Sequence, residues 1–115
     1  MSQLLTALKE YGADVEKTME RFLDDEELYS DCLVSFMEDP GFENLKTALD
    51  TANYNQAFDE AHSLKGVSAN LGLNPLFDKI CLLVETLRSH ENEDLEGKYA
   101  AILAEKEKVR QILPI

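Results

Sequence analysis

Apolar residues recur along this chain at intervals of three and four rather than two, and β-branched runs are lacking, so the pattern predicts helices throughout. Leu4, Leu5 and Leu8 mark a short first helix that stops at Gly12, a residue suited to the left-handed turn after a helix end. Asp14 caps a short segment carrying Val15, Met19 and Phe22. Asp24 and Asp25 are the next cap candidates, ahead of a stripe of Leu28, Cys32, Leu33, Phe36 and Met37 that Pro40-Gly41 breaks. Phe42, Leu45, Ala48 and Leu49 define a further helix, ending around the turn-prone Asn53-Tyr54-Asn55.

The segment from Gln56 to Leu71 is the most informative. Ala57, Ala61, Leu64, Ser68 and Leu71 follow the alternating four- and three-residue spacing of a bundle seam, and Ser68 is small enough to sit in it. Gly72 stops this helix; Asn74 as N-cap and Pro75 at the first helical position restart the chain. Ile80, Leu83, Val84 and Leu87 form the next buried stripe, with Arg88 favourable at that helix's C-terminal dipole. Leu95, Tyr99, Ile102, Val109 and Leu113 line a last helix that starts near Asp94 and ends before Pro114. The fold expected is all-α: an antiparallel four-helix bundle with additional short N-terminal covering helices, forming one domain over residues 1–115.

Composition narrows the function. With 44% apolar and 30% charged residues the chain can build a core, and 11 Lys+Arg against 23 Asp+Glu give a net charge of -12. That charge repels phosphate backbones and anionic lipid, so neither nucleic acid nor membrane is expected as a partner. Uncharged apolar stretches such as Ile80–Val84 are only a few residues long, far short of the roughly 20 residues of a membrane span. No basic residue precedes the short apolar run after Met1, so a secretory signal is not read and a cytoplasmic location is expected. Cys32 and Cys81 lie too far apart for a zinc knuckle and are expected to be buried thiols. Without a Gly-rich loop followed by Lys-Ser/Thr, the chain has no ATP-binding motif of its own.

Two histidines remain as candidates for chemistry. His90 follows Arg88-Ser89 in a polar turn and reads as an exposed loop residue. His62 lies on the side of its helix away from the seam, so its imidazole points to solvent from the middle of a helix. Its face also carries Phe58, Asp59, Lys65, Gly66, Ala69 and Gly72. Glycine inside a helix costs about 0.5–1 kcal/mol relative to alanine, so Gly66 is better explained by the space it opens than by stability. Lys65 projects from the same face and can neutralise an anionic group on the ring nitrogen.

The run Ala61-His62-Ser63-Leu64-Lys65-Gly66, with Gly72 ten residues after the histidine, resembles the signature of histidine-containing phosphotransfer (HPt) domains. Upstream, Arg21-Phe22, Asp25, Leu28-Tyr29 and Phe36 look like the helix beside the phosphohistidine helix in bacterial members, so the similarity covers nearly the whole chain. Around a given histidine, one Lys and two Gly at fixed offsets arise by chance on the order of a few times in ten thousand, which makes the motif specific. The resemblance implies a phosphorelay protein: a non-autonomous phosphotransfer intermediate whose His62 accepts a phosphoryl group on its epsilon nitrogen. The donor and acceptor are aspartates of response regulator receiver domains, or a sensor histidine kinase is the donor. Lys65 and Gly66 form the immediate surround, and Phe58, Ala69, Gly72 and Leu73 belong to the partner-binding face. No cofactor is intrinsic; Mg²⁺ comes with the partner receiver. One departure from the pattern is Val84, which stands where many members place a polar amide, with Arg88 as the candidate substitute for phosphoryl support.

Other readings are weaker on the same residues. Asp59 and His62, three apart, look like half of a di-iron carboxylate–histidine arrangement, but Leu87 stands where the second pair needs an acid before His90, so no metal site is expected. A thiol enzyme would need Cys32 or Cys81 beside His62, while both cysteines fall on apolar stripes. The phosphoacceptor domain of a chemotaxis-type or hybrid histidine kinase shares the His-x-x-Lys-Gly core; Met1 as a plausible initiator and the absence of a linker-like tail weigh against it. A helical scaffold without transfer activity is the third reading, opposed by the intact His62, Lys65 and Gly66. A monomer is expected, since each helix has one buried stripe and no second seam.

Overall fold

The computed structural model describes Met1–Ile115 as seven helices and no strand: α1 (Gln3–Tyr11), α2 (Val15–Arg21), α3 (Glu26–Met37), α4 (Gly41–Asp50), α5 (Tyr54–Asn70), α6 (Asn74–Arg88) and α7 (Leu95–Ile112). Short polar side chains set most of the starts. Ser2, Asp14, Asp25, Asn53 and Asp94 each accept from the backbone N–H three residues on, at 3.0–3.3 Å, pairing donors that a first turn leaves free. Of the two aspartates ahead of α3, Asp25 is the cap, while Asp24 and Leu23 form a left-handed turn at φ 60° and 54°.

Helix α6 departs from expectation. Leu73, not Asn74, is the N-cap, no side chain caps the helix, and Asn74 is its first residue. Leu73 is fully buried, and burying a leucine is worth about 1.5–3 kcal/mol against about 1 kcal/mol for an Asn cap, so the apolar anchor decides where the helix begins.

α4 packs on α5, α5 on α6 and α6 on α7, and α7 returns to α4. The short connections Thr51–Asn53, Leu71–Leu73 and Ser89–Asp94 make successive members antiparallel, which is the expected four-helix bundle. α1 lies along α7, and α2 and α3 cover the end where α5 turns into α6. One cluster of 25 buried apolar residues runs through all seven helices. The long axis of 43 Å exceeds the length of about 27 Å for an 18-residue helix such as α7 because the N-terminal helices extend the bundle rather than thicken it.

The α3 stripe keeps Leu33, Phe36 and Met37 of the sequence reading and takes Tyr29 in place of Leu28. Tyr29, Leu33, Phe36 and Met37 are buried, whereas Leu28 is 48% exposed and Cys32 only half-buried. Tyr29 takes the inner position because it satisfies both of its ends: its ring packs on Phe22 at 5.2 Å and its hydroxyl donates to the Leu71 carbonyl at 2.8 Å. Cys81, also expected to be buried, is half-buried on α6, since Ile80, Leu83, Val84 and Leu87 already fill that helix's inner face.

The α5–α6 turn is the joint between the covering helices and the bundle. The Asp14 N–H donates to the Gly72 carbonyl at 2.9 Å, Arg21 Nη1 to the Asn70 carbonyl at 2.8 Å, and the Thr18 hydroxyl to the Asp14 carbonyl at 2.6 Å. Gly72 sits inside this joint at φ +69°, and a Cβ there would collide with the Thr18 hydroxyl and lie 2.9 Å from the Asp14 carbonyl oxygen. Both Gly72 and Leu73 are therefore buried structural residues, which corrects their assignment to a partner-binding surface.

Burial pushes the Tyr29 phenol from 10.0 up to about 12, with nearby Arg21 opposing. Below pH 10 the phenol is protonated in both states and its hydrogen bond contributes fully; as pH rises through about 12 the unfolded chain deprotonates first and the contribution is lost. Tyr29→Phe is expected to cost about 1 kcal/mol at pH 8 in urea denaturation, with the difference from the parent shrinking between pH 10 and about 12. A difference that grows with pH contradicts this assignment.

Candidate functional site

α5 is divided lengthwise. Ala57, Ala61, Leu64 and Ser68 are buried against α4 and α6, while His62, Ser63, Gly66, Ala69 and Asn70 are exposed on the other side. His62 thus stands in the middle of a helix that is held on its opposite face and cannot turn. The side-chain hydrogen bonds within α5, Gln56 to Glu60 and Ser68 to the Lys65 carbonyl, leave the imidazole unengaged. A Cβ built on Gly66 meets no heavy atom within 4 Å. No packing inside the chain demands glycine there, and the space above it is open.

Lys65 is half-buried and belongs to none of the five ion pairs of the chain. It lies near Cys81 of α6, whose thiol burial pushes up while the Lys65 charge opposes the shift. Phe58, one turn before His62, is half-buried and stacks on its ring with centroids 5.7 Å apart and planes 28° from parallel. The Arg88 guanidinium lies 5.3 Å over the same phenyl ring and pairs with Glu85 at 3.3 Å. The contacts of Arg88 are therefore with Phe58 and Glu85. Val84, at the position of interest for a polar amide, is fully buried in the core.

His90 sits in the exposed α6–α7 turn at φ 58°. With Tyr54, Asn55, Phe58, Asp59, Leu87 and Arg88 it lines a cleft of about 460 Å³ at the start of α5, which joins the His62 face through Phe58. Neither this cleft nor the stack was visible in the sequence, although Phe58 at four residues before His62 is the spacing that carries it. No group of three or more His, Cys, Asp or Glu is arranged to hold a metal ion, and no helix is long and apolar enough to cross a membrane.

A family model for the Hpt domain matches residues 3–112. The chain belongs to the Hpt domain family. Hpt domains are phosphotransfer intermediates rather than autonomous enzymes, acting in phosphorelays with receiver domains and kinases, and this places the chain in histidine phosphotransfer. No curated protein and no solved structure matches the chain. Against the Hpt assignment the exposed side of α5 is the feature to be explained, because its central glycine weakens the helix without relieving any contact in the fold.

Gly66→Ala is accordingly expected to raise stability by about 0.5–1 kcal/mol, read as a higher urea midpoint with an unchanged slope. A lower midpoint would mean that the position is constrained by packing the structure does not contain.

Proposed function

We propose that His62 is the phosphoacceptor of this Hpt domain, taking a phosphoryl group from a receiver aspartyl phosphate and passing it to another receiver aspartate. The observation that carries the reading is an imidazole whose nitrogens make no hydrogen bond, at the centre of the exposed side of α5, with open space over Gly66 one turn on. A nucleophile that must enter another protein's active site needs this clearance. A small-molecule enzyme would instead enclose its nucleophile in a pocket.

The chemistry needs little from this chain. Imidazole ordinarily has a pKa near 6.5 and is largely neutral at pH 7 and above, so no dedicated base is required. The Nε2 lone pair attacks phosphorus and an N–P bond forms. The P–O bond to the receiver aspartate breaks, its electron pair returning to the carboxylate, and the proton on Nδ1 stays in place. Transfer to the next aspartate runs the same exchange in reverse. Lys65, unpaired and on the same side of α5, neutralises the transferred group, and Mg²⁺ held by the receiver's own carboxylates supplies the remaining positive charge. Ala69 and Gly66 give the partner flat access, and a cytoplasmic setting goes with this role.

The test is incubation with a panel of phosphorylated receivers and Mg²⁺, following acid-labile, base-stable phosphate on the parent and on His62→Gln. The parent is expected to take label and His62→Gln none, with Lys65→Ala slowed about tenfold through loss of charge neutralisation. Label arriving only from a kinase with ATP would move the chain to the kinase-coupled reading. No label from either source leaves a scaffold, and an unchanged rate in Lys65→Ala removes that residue from the mechanism.

A further inference from the structure

An exposed imidazole on a helix has more than one χ1 well and a broad χ2, so an attacking nitrogen is not aimed by the backbone alone. Hydrogen bonding is the usual way to hold a histidine ring, but it occupies one of the two nitrogens. Here the ring is held by its face. Side chains in a helix lean towards its N-terminus, which lays His62 over Phe58, and the two rings stack with centroids 5.7 Å apart. Both imidazole nitrogens lie in the ring plane, so a stack restrains the plane and leaves the nitrogens free.

Phe58 is itself fixed from two directions. It is half-buried against the core, and Arg88 of α6 lies 5.3 Å over its ring while pairing with Glu85 at 3.3 Å. Carboxylate, guanidinium, phenyl and imidazole thus form one relay of contacts from α6 to α5. We propose that Phe58 is a positioning residue for His62, orienting the imidazole for attack, and that Arg88 acts through Phe58 rather than on the phosphoryl group. The inference rests on His62 being the phosphoacceptor.

The experiment uses the full chain with three substitutions. Phe58→Leu keeps apolar bulk and removes the stack, Phe58→Tyr keeps the stack, and Arg88→Ala removes the guanidinium. Transfer from a phosphorylated receiver is measured across receiver concentrations, and the ring protons of His62 and His90 are followed by NMR. Phe58→Leu is expected to lower kcat about threefold to tenfold, the range one aromatic stack sustains, with KM little changed. It also removes the upfield ring-current shift of His62 and leaves His90 in place. Phe58→Tyr restores both readouts, and Arg88→Ala gives a smaller loss of kcat in the same direction. A parent that takes label while Phe58→Leu keeps its kcat overturns the positioning role alone, as does a loss confined to KM with the ring shift intact. A larger loss in Arg88→Ala than in Phe58→Leu overturns the route through Phe58. A parent that takes no label overturns the proposed function, and this inference with it.

Discussion

The close approach of α4 and α6 to the same side of α5 is the contact on which the rest of the molecule depends. It is made by small residues: Ala57, Ala61 and Ser68 are fully buried, and a larger side chain at any of them would separate helices packed at interior density. Because this side is fixed, the other cannot rotate away from solvent. The position of His62 is thus a consequence of what lies behind it. The joint at Gly72 extends the same constraint to the N-terminal helices, whose polar groups are tied to backbone carbonyls at the end of α5 and so leave the histidine side uncovered.

Stability and function pull in different directions along this one helix. The seam of α5 is optimised for burial, while its exposed side carries a glycine that helix propensity disfavours and no contact requires. Charge shows the same division. In a chain of net charge -12, five of the eleven Lys and Arg side chains are paired with carboxylates; Lys65, three residues after His62, is not among them, and Arg88 is committed both to Glu85 and to the ring on which His62 rests. In the proposed role, a local cation at the point of contact offsets the repulsion between an acidic chain and an acidic receiver pocket, and the encounter is expected to be transient and salt-sensitive.

Much of this was legible in the residue pattern because it depends on helical periodicity. The seam of α5, the outward direction of His62, the four-helix arrangement and the starts of α2, α3 and α7 are set by local spacing and by the caps Asp14, Asp25 and Asp94, whereas α5 begins at Tyr54, two residues ahead of the Gln56 read from the pattern. Periodicity failed where a tertiary partner outweighed local preference. Tyr29 displaced Leu28 from the inner face of α3 because only the tyrosine could reach the Leu71 carbonyl, and Leu73 displaced Asn74 from the head of α6 because its burial outweighs a cap. Gly72 carries part of the family motif yet lies inside the fold, since the need for it comes from Thr18 and Asp14 on another helix. The stack of Phe58 on His62 follows helical spacing, but Arg88 above it arrives from thirty residues away and could not be read from the chain.

The central claim is that a single nitrogen, Nε2 of His62, carries the phosphoryl group. Three-bond and one-bond phosphorus–nitrogen correlations by NMR on ¹⁵N-labelled protein phosphorylated by a receiver locate that bond directly. The account predicts one phosphorus signal, coupled to Nε2 of His62, with the nitrogens of His90 unaffected. Phosphorus on His90, on Nδ1 of His62, or on any carboxylate would contradict it.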